Sequence, residues 1–563
     1  MAFQLSPGVS ISEVDLTTVV PSVATTVGGI AGPFEWGPVD EITIITDELQ
    51  LVDKFGKPGT ANTETFFTAA NFLSYGSDLR VVRAISSDAK NASGNVGGTA
   101  GVLIKNSSAY TNSVPANTHI FVAKYPGTLG TGLKVSMADY TSFDTWQWKD
   151  YFDTKPNTSP YASTKQRTKD ELHIVVIDDK GNFGAANTVL ERFAHVSKAK
   201  DAKGEDGSSI YYADVLNKKS KYIWFAGHPT ANIINAGASW GIATNLGSGD
   251  YDAISTDPTI TLASGTLGGA ANVSTSYQQF KSPDAVDVSL LMAGAPSESE
   301  YATVINNLLT IASNRKDCLV LFSPKKSDVV DKFGSEQSSI ANSVTTISDS
   351  NYGVMDCNWK YQFDRYNDRY VWTPLNGDIA GLCVYTDAVR DPWFSPAGVN
   401  RGVIKNVVKL AWNPTQAERD LLYKASINPV VSFAGEGTIL YGDKTYTKVP
   451  TSMNRINVRR LFIVLEKAIA RAARSTLFEF NDEFTRAAFV NLVEPYLRDV
   501  QGRRGIYEYR VVCDTTNNTP EVIDRNEFVG DIYIKPSRSI NYIQLNFVAV
   551  GTGVDFSTIV GAV

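Results

Sequence analysis

The chain has 563 residues, of which 43% are hydrophobic and 20% charged, so its length predicts about three or four domains that each bury a core. Its net charge of -7 argues against nucleic acid binding by the whole chain, because phosphate binding depends on clustered Lys and Arg. No apolar run approaches the roughly 18 residues of a membrane-spanning helix, and no signal-peptide pattern is present. We therefore expect a soluble, cytoplasmically made protein without stable membrane insertion.

The first twenty residues predict an extended N-terminal arm. A Pro7-Gly8 turn signal precedes a short apolar alternation at Val9, Ile11 and Val14. A strand of this length has too few neighbours to fold alone. Residues 1–20 are therefore predicted to pair with another sheet.

Residues 21–90 and 284–400 have the pattern of one discontinuous α/β domain. In the second part, strand Val286–Ala293, helix Ser297–Ser313 and strand Cys318–Phe322 form a strand-helix-strand unit. Such units build parallel sheets.

The region between these parts, residues 91–283, differs in composition. It is rich in Ser, Thr, Asn, Gly and Lys, and short β-like runs alternate with turn residues. We expect it to be a mostly β, surface-exposed insertion that interrupts the α/β core.

Residues 401–550 predict an α+β C-terminal domain with one clear amphipathic helix. Its polar face is expected to carry Arg460, Lys467, Arg471 and Arg474, and apolar residues recur at three-and-four spacing on the other face: Val458, Leu461, Phe462, Leu465, Ala468, Ile469 and Ala472.

A second helix and three strands complete the predicted C-terminal domain. Asn481 is the expected N-cap of this helix, and Pro495 is expected to kink or end it. The β-like runs are Ile506–Val512, Phe528–Lys535 and Tyr542–Val550.

The last residues, 551–563, predict a C-terminal arm. Val554, Phe556 and Ile559 make this segment apolar enough to pair with a partner, yet it is too short to fold by itself. Both ends of the chain are therefore predicted to be arms.

The C-terminal domain has a basic excess. Between Asn454 and Arg510 eleven residues are basic and seven acidic, so this stretch carries +4 and the remainder of the chain -11. Two interpretations remain open: a solvated helix face of mixed charge, or a docking surface for an acidic partner.

Catalytic and ligand-binding motifs do not form a coherent set. Gly237-Ala238-Ser239-Trp240-Gly241 matches a nucleophile elbow, but every histidine precedes Ser239, so the required order of triad residues fails. In the run from Gly437 to Thr445, Asp443 interrupts a phosphate-binding loop. The four cysteines are far apart and are expected to be free thiols. We expect no enzyme activity, no cofactor and no metal.

Eight short stretches follow one another in a characteristic order along the chain. They are Pro7-Gly8-Val9 with Glu13, Gly32–Pro38 (GPFEWGP), Phe55-Gly56, Phe66-Phe67, Leu79–Arg83 (LRVVR), Asp391–Gly398 (DPWFSPAG), Ile456–Leu461 (INVRRL) and Phe478–Asp482 (FEFND). In these stretches and in their order the chain resembles the contractile tail sheath proteins of myophages.

This resemblance implies a helical homo-oligomer of many copies wrapped around an inner tail tube. The arms would add strands to neighbouring subunits, and contraction would drive the tube through the host envelope for genome delivery. Baseplate and tail terminator proteins are further implied partners, with the virion tail as location after assembly in the host cytoplasm. The family's organisation points to the C-terminal domain as the tube-facing surface, and local charge makes the candidates Lys467, Arg471, Arg474, Arg498, Arg503 and Arg504.

Two alternatives stay open at this point. One is the sheath of a related device, either a phage-tail-like bacteriocin or a type VI secretion system. The other, from a different class, is a tail-associated hydrolase or host-binding protein, which the insertion could support.

Overall fold

The computed structural model describes residues 20, 23–95, 101–112, 119–228, 239–245, 247–254, 259–542 and 544. The N-terminal part of this range contains β1 (Gly28–Pro33), β2 (Ile42–Ile45), α1 (Glu48–Phe55), α2 (Thr63–Leu73) and β3 (Leu79–Ala84).

The next part, between residues 91 and 283, is dominated by short strands. They are β4 (Ser93–Asn95), β5 (His119–Ala123), β6 (Leu133–Asp139), β7 (Arg167–Thr168), β8 (Glu171–Asp178), β9 (Thr188–Ser197), β10 (Ile223–Phe225), β11 (Gly249–Asp250) and β12 (Thr259–Thr261). Its α-helices are α3 (Ser107–Asn112), α4 (Pro160–Thr164), α5 (Tyr212–Lys219) and α6 (Val273–Ser276).

Helices and strands alternate from residue 284 onward. This part contains β13 (Leu290–Met292), α7 (Tyr301–Arg315), β14 (Leu319–Phe322), α8 (Lys326–Val329), α9 (Glu336–Ser343), β15 (Gly353–Met355), β16 (Trp359–Asp364), β17 (Arg369–Pro374) and α10 (Asn376–Val389). Beyond residue 400 lie β18 (Lys409–Leu410), α11 (Gln416–Lys424), β19 (Val430–Phe433), β20 (Gly437–Leu440), α12 (Ile456–Ala473), α13 (Glu483–Gly502), β21 (Ile506–Val512), α14 (Pro520–Asp524) and β22 (Asp531–Pro536).

A six-stranded sheet forms the core, with strand order β15-β14-β13-β1-β3-β2. All neighbours are parallel except β2, which runs antiparallel to β3 at the edge. Central strands such as β13 and β14 are continuously apolar and buried, as expected for a parallel sheet covered on both faces. Segments on both sides of residues 91–283 share this sheet, which confirms the predicted fold class of an interrupted α/β core.

Helix α2 approaches β1 closely because the strand begins with glycine. A Cβ at Gly28 would lie 2.6 Å from the Phe72 ring of α2.

Two predicted elements are shorter in the structure than in the sequence analysis. Strand β13 does not extend over the predicted Val286–Ala293, because Val286 donates its N-H to the Ser282 carbonyl at 3.3 Å in a turn. Helix α7 likewise begins at Tyr301 rather than at the predicted Ser297.

The insertion has its own sheets and its own hydrophobic core. A four-stranded antiparallel sheet has the order β12-β6-β8-β9, and a second sheet has the order β10-β5-β4. The guanidinium of Arg83, which is fully buried at the end of β3, links core and insertion. It donates to the carbonyls of Phe34 at 2.8 Å, Gly37 at 2.9 Å and Pro126 at 2.6 Å.

In the C-terminal part, helices α12 and α13 pack with the β21–β22 hairpin around a separate apolar cluster that includes Leu461, Leu465, Val493 and Leu497. The predicted amphipathic helix is thus present as α12. Among the described residues, no helix combines the length and apolarity that crossing a membrane requires. The exact domain boundaries at residues 20, 90, 283, 400 and 550 stay predictions.

The predicted polar face of α12 is wrong at Arg460. This side chain is 4% exposed, and its Nη2 lies 2.6 Å from Asp387 Oδ2 on α10. The helical spacing alone did not reveal that α10 supplies a buried carboxylate on this side of α12.

Two details of α13 also differ from the prediction. Asp482, not Asn481, is the N-cap, and its Oδ1 accepts a hydrogen bond from Thr485 N at 2.8 Å. Asn481 is engaged elsewhere, because its amide donates to the Glu527 carbonyl at 2.8 Å. Pro495 does not end the helix, which continues to Gly502.

Candidate assembly surface

The β21–β22 hairpin is a two-stranded antiparallel sheet in the part of the chain that the structure describes. Each strand pairs only with the other within the described ranges. One face of the hairpin, including Val511 and Ile532, packs on α13 and its apolar cluster. Since no third strand lies along them among the described residues, the outer edges present backbone N-H and C=O groups that can template a further strand.

The other face of the hairpin is exposed to solvent. Glu508 and Lys535 form a cross-strand ion pair at 3.7 Å, and Tyr533 is 61% exposed beside them. Because this pair is exposed, it contributes little to stability. It does give the hairpin surface a defined charge pattern.

The predicted arm strands lie outside the described residues, apart from the end of the first arm. Val9, Ile11, Val14, Val554, Phe556 and Ile559 therefore stay predictions. Val20 is described and is 7% exposed, packed in a cluster with Ala468 and Ala472 of α12 and Leu492 of α13. The root of the N-terminal arm thus rests on the two helices that support the hairpin.

Three of the predicted tube-facing cations lie on or next to α12 and pair with acidic residues before β13. Lys467 and Arg471 on α12 share Asp287, with Arg471 Nη2 at 3.6 Å from Asp287 Oδ2, and Arg474 contacts Asp284 at 3.2 Å. The Lys467 side chain is 10% exposed, whereas that of Arg474 is 71% exposed. These pairs tie the exposed side of α12 to the segment before β13.

The other three predicted cations lie at the end of α13. Arg503 pairs with Asp391 and, at 3.5 Å, with Asp499. Burial raises the pKa of Asp391, and the charge of Arg503 opposes that rise. Arg498 and Arg504 are exposed, and Arg504 has a φ of 67°. The six candidates therefore form two groups, one against the acidic 284–287 segment and one at the C-terminal end of α13, where Arg503 pairs with Asp391.

The side chains of the two motifs that resemble a nucleophile elbow and a phosphate-binding loop make hydrogen bonds within the fold. Ser239 donates its hydroxyl to Asp252 Oδ2 at 2.6 Å. In the glycine-rich run, Gly437 opens β20, and Lys444 Nζ donates to the Tyr423 carbonyl at 2.6 Å. Cys318, Cys357, Cys383 and Cys513 are all free and buried.

The fold resembles solved sheath structures. The sheath tail protein of Desulfitobacterium hafniense superposes with a TM-score of 0.53 at 11% identity, over 90% of this chain and 94% of that one. The sheath complex of an extracellular contractile injection system in its contracted state gives a TM-score of 0.51 at 12% identity, over 97% and 98% of the two chains. The fold is that of sheath proteins.

Sequence comparison defines the family within this class. The chain matches the tail sheath protein Gp18 domain III N-terminal region at residues 25–84, the phage tail sheath protein central domain at 269–446 and the phage tail sheath C-terminal domain at 448–549. It is 35% identical to the tail sheath protein of Enterobacteria phage T4, over 99% of each chain. The tail sheath protein of Vibrio phage KVP40 is 34% identical, over 99% of this chain and all of that one. The chain belongs to the phage tail sheath protein family.

Proposed function

We propose that this chain is the repeating subunit of a contractile phage tail sheath that polymerises helically around the inner tail tube. Contraction of the sheath drives the tube through the host envelope and so delivers the genome. Family membership supports the sheath role, and the relatives at 34% and 35% identity are phage proteins, which favours a phage over a bacteriocin or a secretion system.

The observation that carries this proposal is the β21–β22 hairpin, along which no third strand lies among the described residues. An extended arm from a neighbouring copy can hydrogen-bond along an outer edge of the hairpin, which is β-strand addition. Each copy would receive arms and donate its own. Because such a contact is head-to-tail and does not close on itself, it propagates as a helix.

The proposed partners are other copies of the chain, the inner tail tube, and the baseplate and tail terminator proteins. The subunit is present in host cytoplasm during assembly and in the virion tail afterwards. No nucleic acid, cofactor or catalytic step is needed. Contraction is a repacking of subunits between two arrangements of different free energy, with arms that maintain the connections.

The arms are the point at which this proposal is tested. Deleting residues 1–19, which keeps the buried Val20, or residues 551–563 should abolish tube formation in electron micrographs while circular dichroism of the bodies stays unchanged. In a subtler variant, Val554, Phe556 and Ile559 are replaced by Ser, and the matched control replaces Thr552 and Thr558 by Ser. Ordered tubes from the truncated proteins would refute the proposed linkage.

We also propose that the tube lies against the six cations Lys467, Arg471, Arg474, Arg498, Arg503 and Arg504. Their support is the local basic excess and the partial exposure of most of them. An acidic tube surface could recruit Arg474, Arg498 and Arg504 directly, since their side chains are exposed.

A further inference from the structure

The chain leaves the C-terminal hairpin over a short polar segment, residues 537–542, which we call the arm root. Its first residue continues the hairpin, since Ser537 N donates to the Gly505 carbonyl at 3.1 Å. Further along, Ile540 and Tyr542 are 83% and 82% exposed. Apolar burial of these two side chains therefore does not hold the arm root in place.

Hydrogen bonds to one buried carboxylate hold it instead. Asp443 is 3% exposed, and its Oδ2 accepts from Ser539 Oγ at 2.6 Å. Its Oδ1 accepts from Asn541 Nδ2 at 3.0 Å, Arg455 Nη1 at 3.0 Å and Tyr423 Oη at 3.1 Å. Two donors thus come from the arm root and two from the body of the same chain.

Tyr423 completes the arrangement. Burial raises the pKa of its hydroxyl, so the group stays protonated and can donate to Asp443. The same oxygen accepts from Asn541 Nδ2 at 2.8 Å. Asn541 therefore contacts both Asp443 and Tyr423, and its position is fixed by two partners.

Asp443 lies where three parts of the molecule meet. It follows the β19–β20 hairpin, and its carbonyl accepts from the N-H of Ile456, the first residue of α12, at 2.8 Å. The next residue is fixed as well, because Lys444 N donates to Asn428 Oδ1 at 2.7 Å. A carboxylate on such a constrained backbone sets the arm root relative to both the core and α12.

We propose that Asp443 is the positioning residue of the C-terminal arm: it fixes the point from which the arm leaves its own subunit and therefore which neighbouring copy it reaches. This inference rests on the proposed exchange of arms. Beyond Asn541 the chain has 22 residues, made up of the predicted last strand and the arm at 551–563, which span at most about 80 Å when extended. If the arm always starts from the same point on the subunit, fewer neighbouring copies lie within this distance of it.

The first test uses the unassembled fraction isolated by gel filtration. Hydrogen exchange at Ser537, the arm-root residue whose N-H is bonded to the Gly505 carbonyl, should become at least tenfold faster in Asp443→Asn, because residue 443 loses its charge and one of its two acceptor oxygens. The matched control is Asp420→Asn, an exposed aspartate on α11 that removes the same charge. The control should exchange like the wild-type protein in this segment.

A second variant keeps the test valid if Asp443→Asn does not fold. The double substitution Ser539→Ala/Asn541→Ala removes the two arm-root donors and leaves Asp443 with Arg455 and Tyr423. It should reproduce the faster exchange and lower the yield of sedimentable tubes at least twofold, without changing the thermal midpoint of the body. Unchanged exchange in the folded variants, or faster exchange with tubes of normal yield and helical order, would overturn the assignment.

These outcomes are separable from failure of the proposed function. Exchange of the arm root is measured in single subunits and does not require that arms link copies. If the protein that lacks residues 551–563 still forms tubes, arms do not link the copies. That result would refute the proposed function, whatever the hydrogen-exchange rates of the arm root are.

Discussion

Arg460 and Asp387 form an ion pair that is shielded from water between α12 and α10. Their side chains are 4% and 6% exposed, and Asp387 Oδ1 has no hydrogen-bond partner among the described residues. Burial by itself lowers the pKa of Arg460, but the neighbouring Asp387 carboxylate outweighs it, so the net pKa is raised. Removing one partner of such a pair leaves an uncompensated buried charge.

Arg460→Met should therefore lower the free energy of unfolding by about 3 to 5 kcal/mol, measured by urea unfolding of unassembled protein. The matched control is Arg498→Met, an exposed arginine on α13 whose loss should change stability by less than about 0.5 kcal/mol. The double variant Arg460→Met/Asp387→Leu should recover much of the loss. Equal stability of Arg460→Met and the control would contradict a buried pair.

The buried carboxyl group of Asp356 makes the stability of the core depend on pH. It is 1% exposed at the end of β15, where its carboxylate accepts from Ser323 Oγ at 2.6 Å and Asn358 N at 3.0 Å. Burial is the largest cause that raises its pKa, to about 7, and the nearby Asp378 adds to the rise. The folded state therefore retains a proton that the unfolded chain releases near pH 4.

Because the folded state binds the extra proton, stability falls as the pH rises from about 4 to about 7. Asp356→Asn removes this titration. As the pH rises from 4 to 8, wild type loses this stability and the variant does not. The free energy of unfolding of the variant minus that of wild type should therefore increase by up to about 4 kcal/mol over this range. Urea unfolding at both pH values measures this, with Asp420→Asn as control. A difference that stays constant across this range would be incompatible with the raised pKa.

At the scale of elements, α13 supports the hairpin although it contains a proline. Pro495 lacks an N-H and removes one hydrogen bond from the helix interior. The helix persists because Leu492, Val493 and Leu497 around this position are buried against neighbouring elements. Tertiary packing therefore overrides the local preference that predicts an end at Pro495.

Pro495→Ala should raise the stability of the C-terminal part by up to about 3 kcal/mol, the cost of proline in a helix interior. The residue is exposed, so the change leaves no buried cavity. Hydrogen exchange of residues 491–500 should slow by comparison with wild type. Faster exchange there would mean that the proline ring itself stabilises the helix.

At the scale of the whole molecule, α12 ties the C-terminal part to the core through the pairs of Lys467, Arg471 and Arg474 with Asp284 and Asp287. The same cations are candidates for the tube surface. A charge swap can separate the two roles, since only the tube role depends on a second protein.

Arg471→Glu/Arg474→Glu should prevent the sheath from assembling around tubes at ordinary salt, as seen by electron microscopy. Adding Asp284→Arg restores the pair between positions 474 and 284 with reversed sign, and Asp287 keeps its partner Lys467. If the tube contacts these cations, assembly should remain blocked in the triple variant. Recovery of assembly would assign the loss to the internal pairs, and normal assembly by the first variant would exclude both roles.

The pattern of apolar residues was sufficient to predict the interrupted α/β core and α12, because continuous and three-and-four patterns report burial directly. It failed where a partner distant in sequence decides the environment. Arg460 lies on a face that α10 covers, and Asn481 gives way to Asp482 as cap because it is held by Glu527. The Asp443 contacts to Ser539 and Asn541 join residues almost a hundred positions apart, which no local pattern encodes.

Arg83 sets a condition for engineering chimaeric sheaths. Its guanidinium takes carbonyls from both the core and the insertion, at Phe34 and Pro126, in a fully buried position. A transplanted insertion that offers no carbonyl near position 126 would leave one guanidinium N-H of Arg83 without an acceptor. An apolar side chain at position 83 is no remedy, because the carbonyls of Phe34 and Gly37 would lose their donor. A chimaera should therefore keep the residues around Pro126 from the same chain as Arg83.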